Sequence, residues 1–279
     1  MQCPNPIRIK MKEMPGGMLV PCGKCIICRI AKRNEWTMRL IHELGYHEKS
    51  IFLTLTYDNE HLPKDGSLCK KDLQKFFKRL RKNYEGKIKY FACGEYGDTT
   101  YRPHYHIILF GIGFDYDFKV VWPFGFVHKG LVERESIQYV CAYVEKKLTG
   151  EKGEKAYKEK NIESPFRLLS QAIGKKYCLE NEDSIKKKYE IKLNGKSRAV
   201  PRYYSNILVL DKEILKERAL DRERLKVEKY SGLSDLNEDE LYKSVSSEEF
   251  MKYYDERKKR KKAYQMMVEA RVNLRKKPI

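Results

Sequence analysis

Pro103-His104-Tyr105-His106-Ile107-Ile108-Leu109-Phe110 is an eight-residue run without glycine or internal proline, and it closes on four consecutive apolar residues. It reads as a β-strand anchored at its end in a core. Successive side chains of a strand point to opposite faces, so His104 and His106 enter one space while Tyr105 points away. Two neutral imidazoles side by side are the beginning of a metal site, although a lone H-x-H pattern also fits packed histidines. Just upstream, Ile88–Glu95 reads as a partner strand, joined to the first by the turn-rich Tyr96–Arg102. Glu95 lies nine residues before His104, a separation that lets a hairpin bring its carboxylate beside both rings. Glu95, His104 and His106 then make a facial set of three ligands with open positions for phosphate oxygen and water. The carboxylate suits Mg²⁺ or Mn²⁺, while intrinsic affinities favour zinc. Glu95 also reads as a surface residue paired with Arg102 or Lys87.

Working outward, Ile51–Tyr57 alternates, with Phe52 and Thr54 on one side and Leu53 and Leu55 on the other. Lys70–Tyr84 places Leu73, Phe76, Phe77 and Leu80 at helical spacing. Phe126–Val132 is a further strand, and Ser136 is placed as the N-cap of a helix running to about Lys147. The order strand, helix, strand, strand, strand, helix predicts an α+β fold, an antiparallel sheet backed by helices. Around this core, 1–49 is expected to hold an irregular arm, a cysteine cluster and the helix Arg29–His47. The core itself is 50–150. Residues 151–205 add a helical patch at Phe166–Leu179 and a hairpin about Asn194-Gly195 between Tyr189–Leu193 and Lys196–Val200. Residues 206–279 form a basic helical tail with a break near Ser231–Asn237.

The helix after Ser136 carries Tyr139-Val140-Cys141-Ala142-Tyr143-Val144-Glu145-Lys146-Lys147. Tyr139 and Tyr143 are one turn apart and share a face, with Lys146 and Lys147 one turn further along. A phenol with an ordinary pKa of about 10 is a poor nucleophile, and a nearby cation favours its phenolate. Two tyrosines at this spacing fit a core or an interface equally well. Combined with a metal-binding set, they complete a phosphoryl-transfer site that needs no ATP. Neither a Walker loop nor a G-x-G-x-x-G is present.

Lys and Arg total 58 against 39 acidic residues, a net charge of +19 that suits a polyanionic partner. From residue 205 onward there are 19 basic and 15 acidic residues, so most of the surplus belongs to the preceding body. With 41% hydrophobic residues the chain can bury a sizeable core. The N-terminus lacks the apolar segment of a secretory signal, and no stretch approaches the ~20 apolar residues of a membrane span. The expected setting is cytoplasmic, without membrane contact.

Eight cysteines in such a chain read as thiols or metal ligands rather than a disulfide framework. Cys22, Cys25 and Cys28 lie within seven residues, and Cys3 is the best fourth partner for a closed, structural zinc site. His42 or His47 could take the fourth position, and unmetallated thiols or a redox role are the other readings. Lys70, Lys71, Lys75, Lys78, Arg79, Arg81, Lys82, Arg102, Arg202, Tyr203 and Tyr204 combine charge with aromatic surface, as contacts to unpaired nucleic acid do. Arg257–Lys262 adds a basic run that also reads as a solvated helix face.

Three of these motifs, in this order, resemble those of HUH-type replication initiators, and specifically the replication proteins of gokushovirus-like microviruses. Phe52–Tyr57 is similar to the first-strand motif, Arg102–Gly111 to the metal-binding strand, and Tyr139–Lys147 to the paired-tyrosine helix. Val20–Arg29 also looks like that viral family, and the likeness spans roughly residues 1–205. It implies an RRM-like or palm-like core and a rolling-circle replication role inside a bacterial host. A tyrosine would attack a phosphodiester of single-stranded origin DNA, leaving a 5′-phosphotyrosine and a priming 3′-OH, and the second tyrosine would serve termination. Tyr143 also satisfies a simpler Y-x-x-K form, which favours it as nucleophile. Host helicase and polymerase would be partners. The alternatives are an HUH transposase or relaxase, and a non-catalytic, zinc-containing single-strand binder.

Overall fold

In the computed structural model the alternating apolar positions of Ser50–Tyr57 (β3) are turned inward, and the sheet is assembled around them. The structure describes residues 3, 5–11, 14–97, 100–146, 155, 157–193 and 195–231, and further on 252, 255, 259, 262–263 and 266–270. Before β3 come β1 (Ile7–Met11), β2 (Met14–Val20) and α1 (Ile26–Leu44). After it run α2 (Lys70–Asn83), β4 (Lys89–Tyr96), β5 (Pro103–Phe110), β6 (Gly125–Gly130), α3 (Arg134–Lys146) and β7 (Phe166–Leu169). Then follow α4 (Lys175–Glu180), α5 (Glu182–Lys188), β8 (Glu190–Leu193), β9 (Lys196–Ala199), α6 (Arg202–Ile207) and α7 (Lys212–Ser231).

Five strands form one antiparallel sheet in the order β6-β3-β5-β4-β7, as expected of an α+β chain. β3 and β4 run parallel with α2 crossing between them and β5 inserted, a split βαβ unit. Ile51, Leu53, Leu55 and Tyr57 of β3, with Tyr105, Ile107 and Leu109 of β5, pack against Leu73, Phe76, Phe77 and Leu80 of α2. Each such side chain taken fully from water contributes about 1.5–3 kcal/mol. On the opposite face, Trp36 and Leu40 of α1 and Ile137, Val140 and Cys141 of α3 cover Phe91, Cys93, Ile108 and Phe110. Gly125 lets β6 close on β3: its φ is 148°, and a Cβ there would meet the Asp58 nitrogen at 2.3 Å.

The chain divides into two compact units, Lys32–Ser184 with Pro201–Tyr204, and Met1–Ala31 with Ile185–Val200 and Ser205–Ile279. This differs from the linear segmentation. Residues 151–184 stay with the sheet because β7 pairs with β4, while the β8–β9 hairpin belongs with the N-terminal arm and the tail. The arm is not irregular: β1 and β2 pair from Ile7 opposite Val20 to Met11 opposite Met14. Both strands of a two-stranded ribbon are edges, so the prolines and glycines that suggested a coil are tolerated. The expected helical patch at 166–179 resolves into edge strand β7 and the short α4. Four apolar-rich residues suit either state, and pairing with β4 decides it. Ser136 is not the N-cap. The helix starts at Arg134, and the Ser136 hydroxyl sits in its first turn, exchanging hydrogen bonds with the N–H and C=O of Glu133. Asn194 and the expected break at 232–237 lie outside the described residues.

α1 also carries buried polar groups. The Glu43 carboxylate accepts from Lys89 Nζ at 2.8 Å and from the Gly174 N–H at 2.7 Å, and pairs with His47 Nε2 at 2.8 Å. Burial would raise its pKa, but these bonds outweigh that and lower it. His42 stacks on Tyr177 at 3.6 Å and shares a 3.0 Å hydrogen bond with the Tyr204 hydroxyl. Burial pulls the His42 pKa from 6.5 down to about 4. Between those two values the unfolded chain takes up a proton that the folded chain refuses, so stability falls as the pH drops. Urea unfolding from pH 6.5 to pH 4 should show this slope, and His42→Asn should flatten it. A parent-like slope in the variant would clear His42 as the cause.

Candidate active site

β5 is the central strand of the sheet, and its ladders place every partner of its two histidines. Thr56, His104 and Glu95 lie in register across three strands, and so do Thr54, His106 and Cys93. Directly paired residues share a face, so Glu95, His104 and His106 all project to the side covered by α1 and α3. His106 Nε2 stands 2.9 Å from Glu95 Oε1, and its Nδ1 is 3.1 Å from the Thr54 hydroxyl. The His106 and Glu95 side chains are only 7% and 12% exposed. His104 donates its Nδ1–H to the Arg102 carbonyl at 2.7 Å, which leaves Nε2 with a free lone pair. The two imidazole planes are 8° from parallel with centroids 6.4 Å apart, and Phe52 stacks on His106 at 5.9 Å.

The tyrosine helix lies over this pair. The Tyr139 ring meets His106 edge-on at 5.4 Å and Phe52 at 6.4 Å, and remains 49% exposed. Tyr143 follows one turn later on α3, where it and Lys146 are described in backbone only, and Lys147 lies outside the described residues. Two ligands held by one ion at right angles and about 2.1 Å would sit about 3 Å apart, which is the Glu95–His106 separation. The third member is looser. Among the described residues, the group whose ligand atoms all lie within 4.8 Å of one another is a different one, Cys3, Cys22, Cys25 and Cys28.

That cysteine set has the geometry of a closed site. Four thiolates around zinc at about 2.3 Å stand about 3.8 Å apart, and the Cys3 and Cys25 sulfurs are 3.8 Å apart. The backbone N–H groups of Cys22, Cys25 and Cys28 donate to the sulfurs of Cys3, Cys22 and Cys25 at 3.3, 3.3 and 3.5 Å. Burial pushes the Cys25 and Cys28 thiols up. Cys22 goes the other way: burial raises it, yet N–H donors from Cys25 and Lys24 and the neighbouring thiols bring it to about 7. His42 and His47 are held in the Tyr204 and Glu43 contacts and take no part.

A family model described as replication-associated protein ORF2 matches residues 50–148. Replication-associated protein VP4 of Bdellovibrio phage phiMH2K is 33% identical over 226 residues, 71% of this chain and 70% of the relative. The chain belongs to the replication-associated protein family. Two more members are Replication-associated protein ORF2 of Spiroplasma virus 4, 33% identical over 66% of each chain, and Replication-associated protein ORF4 of Chlamydia phage 1, 31% identical over 68% of this chain and 53% of its own. No solved structure matches. Among the described residues no helix is long and apolar enough to cross a membrane.

In this member of the family the expected nucleic-acid contacts scatter. Lys70, Lys71, Lys75, Lys78, Arg81 and Lys82 are exposed, but α2 covers the sheet face opposite the histidines. Arg79 donates its Nε–H to the Val121 carbonyl at 2.9 Å. Arg102 donates to Asn59 Oδ1 at 3.0 Å and to the Tyr57 carbonyl at 2.9 Å, pinning the turn that holds His104. Arg202 is exposed, whereas Tyr203 lies half-buried beneath the Arg39 guanidinium at 3.9 Å. Tyr204 needs correction: it is fully buried against His42 and has no face to offer a base. In the basic run of the tail, Lys259 and Lys262 are exposed, and the others lie outside the described residues. The sequence had pointed past Thr54, whose alternation in β3 already placed it on the side of Phe52, and past the open face of β6. Tyr204→Phe should cost about 1 kcal/mol in urea unfolding through the lost hydrogen bond and leave oligonucleotide affinity unchanged. A large fall in affinity at unchanged stability would return Tyr204 to the DNA surface.

Proposed function

We propose that this chain acts in phage replication by nicking and rejoining single-stranded origin DNA, starting and ending rolling-circle synthesis inside the bacterial host. The observation that carries this reading is the Tyr139 ring against His106, on the sheet face where Glu95 approaches His106 at 2.9 Å. Membership of the replication-associated family supports the setting and a DNA partner. Glu95, His104 and His106 would hold Mg²⁺ or Mn²⁺, which when bound supplies positive charge to a phosphate oxygen. The protein's own part is positional. Arg102 and Thr54 orient the two imidazoles, and Phe52 fixes the plane of His106.

The phenol oxygen of Tyr139 or Tyr143 attacks the phosphorus, and the bond to the 3′ oxygen breaks. The phenolic proton is balanced by protonation of the released 3′-OH, and the 5′-phosphate stays on the tyrosine. Lys146 and Lys147 favour the phenolate and offset charge on the leaving oxygen. One phosphoester replaces another, so no nucleotide is consumed, and the reverse attack by a 3′-OH reseals the strand. Two tyrosines one helical turn apart let the site alternate between initiation and termination, with host helicase and polymerase extending the strand between them. Cys3, Cys22, Cys25 and Cys28 would hold zinc in a structural role, since four thiolates would supply all the ligands such an ion takes.

With an origin oligonucleotide and Mn²⁺, Tyr143→Phe should reduce the covalent protein–DNA adduct and the Tyr139/Tyr143 double phenylalanine variant should abolish it. An undiminished adduct in the double variant would exclude both as nucleophiles. His104→Ala should lose the adduct while keeping salt-sensitive binding. Binding that never yields an adduct, with or without chelator, would leave a non-catalytic zinc-containing binder. Separately, elemental analysis should find about one zinc per chain, lost in Cys25→Ser together with thermal stability. Metal-free protein with unchanged melting would remove the zinc.

A further inference from the structure

α1 and α3 cover the histidine face over β4 and β5, and among the described residues its other edge is left exposed. There, on edge strand β6, Phe126 is 68% exposed and His128 is also exposed. These two residues extend the rows that build the candidate site. Phe126 is in register with Thr56 and so with His104 and Glu95, and His128 is in register with Thr54 and so with His106. Each stands two strands, about 10 Å, from its histidine. Their neighbours turn the other way: Val127 packs into the core beneath α2, and Lys129 Nζ donates to the Phe114 and Tyr116 carbonyls. Gly125 fixes the start of this strand against β3, so the Phe126 ring is carried by rigid backbone rather than by a loop.

A single exposed phenylalanine is ordinary on a protein surface. Here, however, it continues a row of site residues on a face where Tyr139 presents a second, half-exposed ring, in a chain of net charge +19. Flat apolar rings set in a cationic protein are what unpaired nucleotides recognise, because every base has a π-face and every linkage a negative charge. We propose that Phe126 is the platform on which an unpaired base stacks within a few nucleotides of the scissile phosphodiester, with His128 beside it contacting the adjoining nucleotide. Stacking of this kind tolerates any base, so it sets the position of the strand rather than its sequence. The inference rests on the nicking reading only for which phosphodiester lies between Phe126 and the histidines; the binding itself needs no cleavage.

The full-length protein, held in chelator, is titrated with single-stranded origin oligonucleotides carrying 2-aminopurine at successive positions. One or two adjacent positions should be quenched on binding. Phe126→Ala should lose that quenching and weaken single-strand binding by about 5- to 100-fold, with unchanged melting and unchanged duplex binding. Phe126→Trp should retain both properties. Wild-type quenching and affinity in Phe126→Ala would overturn the proposal. If the parent never forms a covalent adduct yet Phe126→Ala loses binding, the platform stands and the nicking chemistry falls; if adducts form while Phe126→Ala binds normally, the reverse holds.

Discussion

The ladders on either side of β5 pair Thr54 with His106 and Thr56 with His104, and on the other flank Cys93 with His106 and Glu95 with His104. A one-residue slip between β4 and β5 would send Glu95 and the histidines to different faces, and one between β3 and β5 would part Thr54 from His106, because the side-chain period of a strand is two. What prevents the slip is the opposite face. Leu53, Leu55, Tyr105, Ile107 and Leu109 have no exposed surface, and moving them out would forfeit the burial that holds α2. The chemistry on one side is therefore set by the packing on the other. Tyr105 shows the link within one residue: its ring is fully buried, and its hydroxyl meets the Tyr57 hydroxyl at 2.9 Å and accepts from the Cys69 N–H at 2.8 Å, just before α2 begins.

Three kinds of polar cluster result, and they differ in what remains open. The four cysteine sulfurs lie within 4.8 Å of one another, and backbone N–H groups donate to those of Cys3, Cys22 and Cys25. Such a set suits a role in holding chain segments together. Glu95, His104 and His106 offer fewer ligands, and Tyr139, which meets His106, is itself half-exposed. Glu43 represents a third kind, a buried carboxylate with three partners and no opening, which joins α1 to β4 and to the turn before α4.

Period and spacing carried much of this in the sequence. The bounds of β5 were legible because Pro103 starts it and Gly111 follows it, and α2 because Leu73, Phe76, Phe77 and Leu80 leave no other period. The cysteine set was legible because three of its members lie within seven residues, and few thiols remained for the fourth place. What stayed hidden depended on distant partners. Arg202-Tyr203-Tyr204 has the composition of a nucleic-acid contact, but Tyr204 is committed to His42, 162 residues earlier. The α2 lysines were expected to contact DNA; they are exposed, yet no local pattern tells on which side of a sheet a helix will lie. The β1–β2 ribbon and β7 were missed because edge strands are short and tolerate residues that local propensity penalises.

Val268 is buried against Ile26 and Ile27, at the start of α1 and next to the cysteine set. A ribosome must therefore release more than two hundred further residues before that hydrophobic contact can form. By then Lys32–Ser184 has long emerged and can close its sheet alone. The order of synthesis and the order of completion are thus inverted: the helix start precedes the sheet in the chain, yet it gains this hydrophobic cover only after the sheet can close.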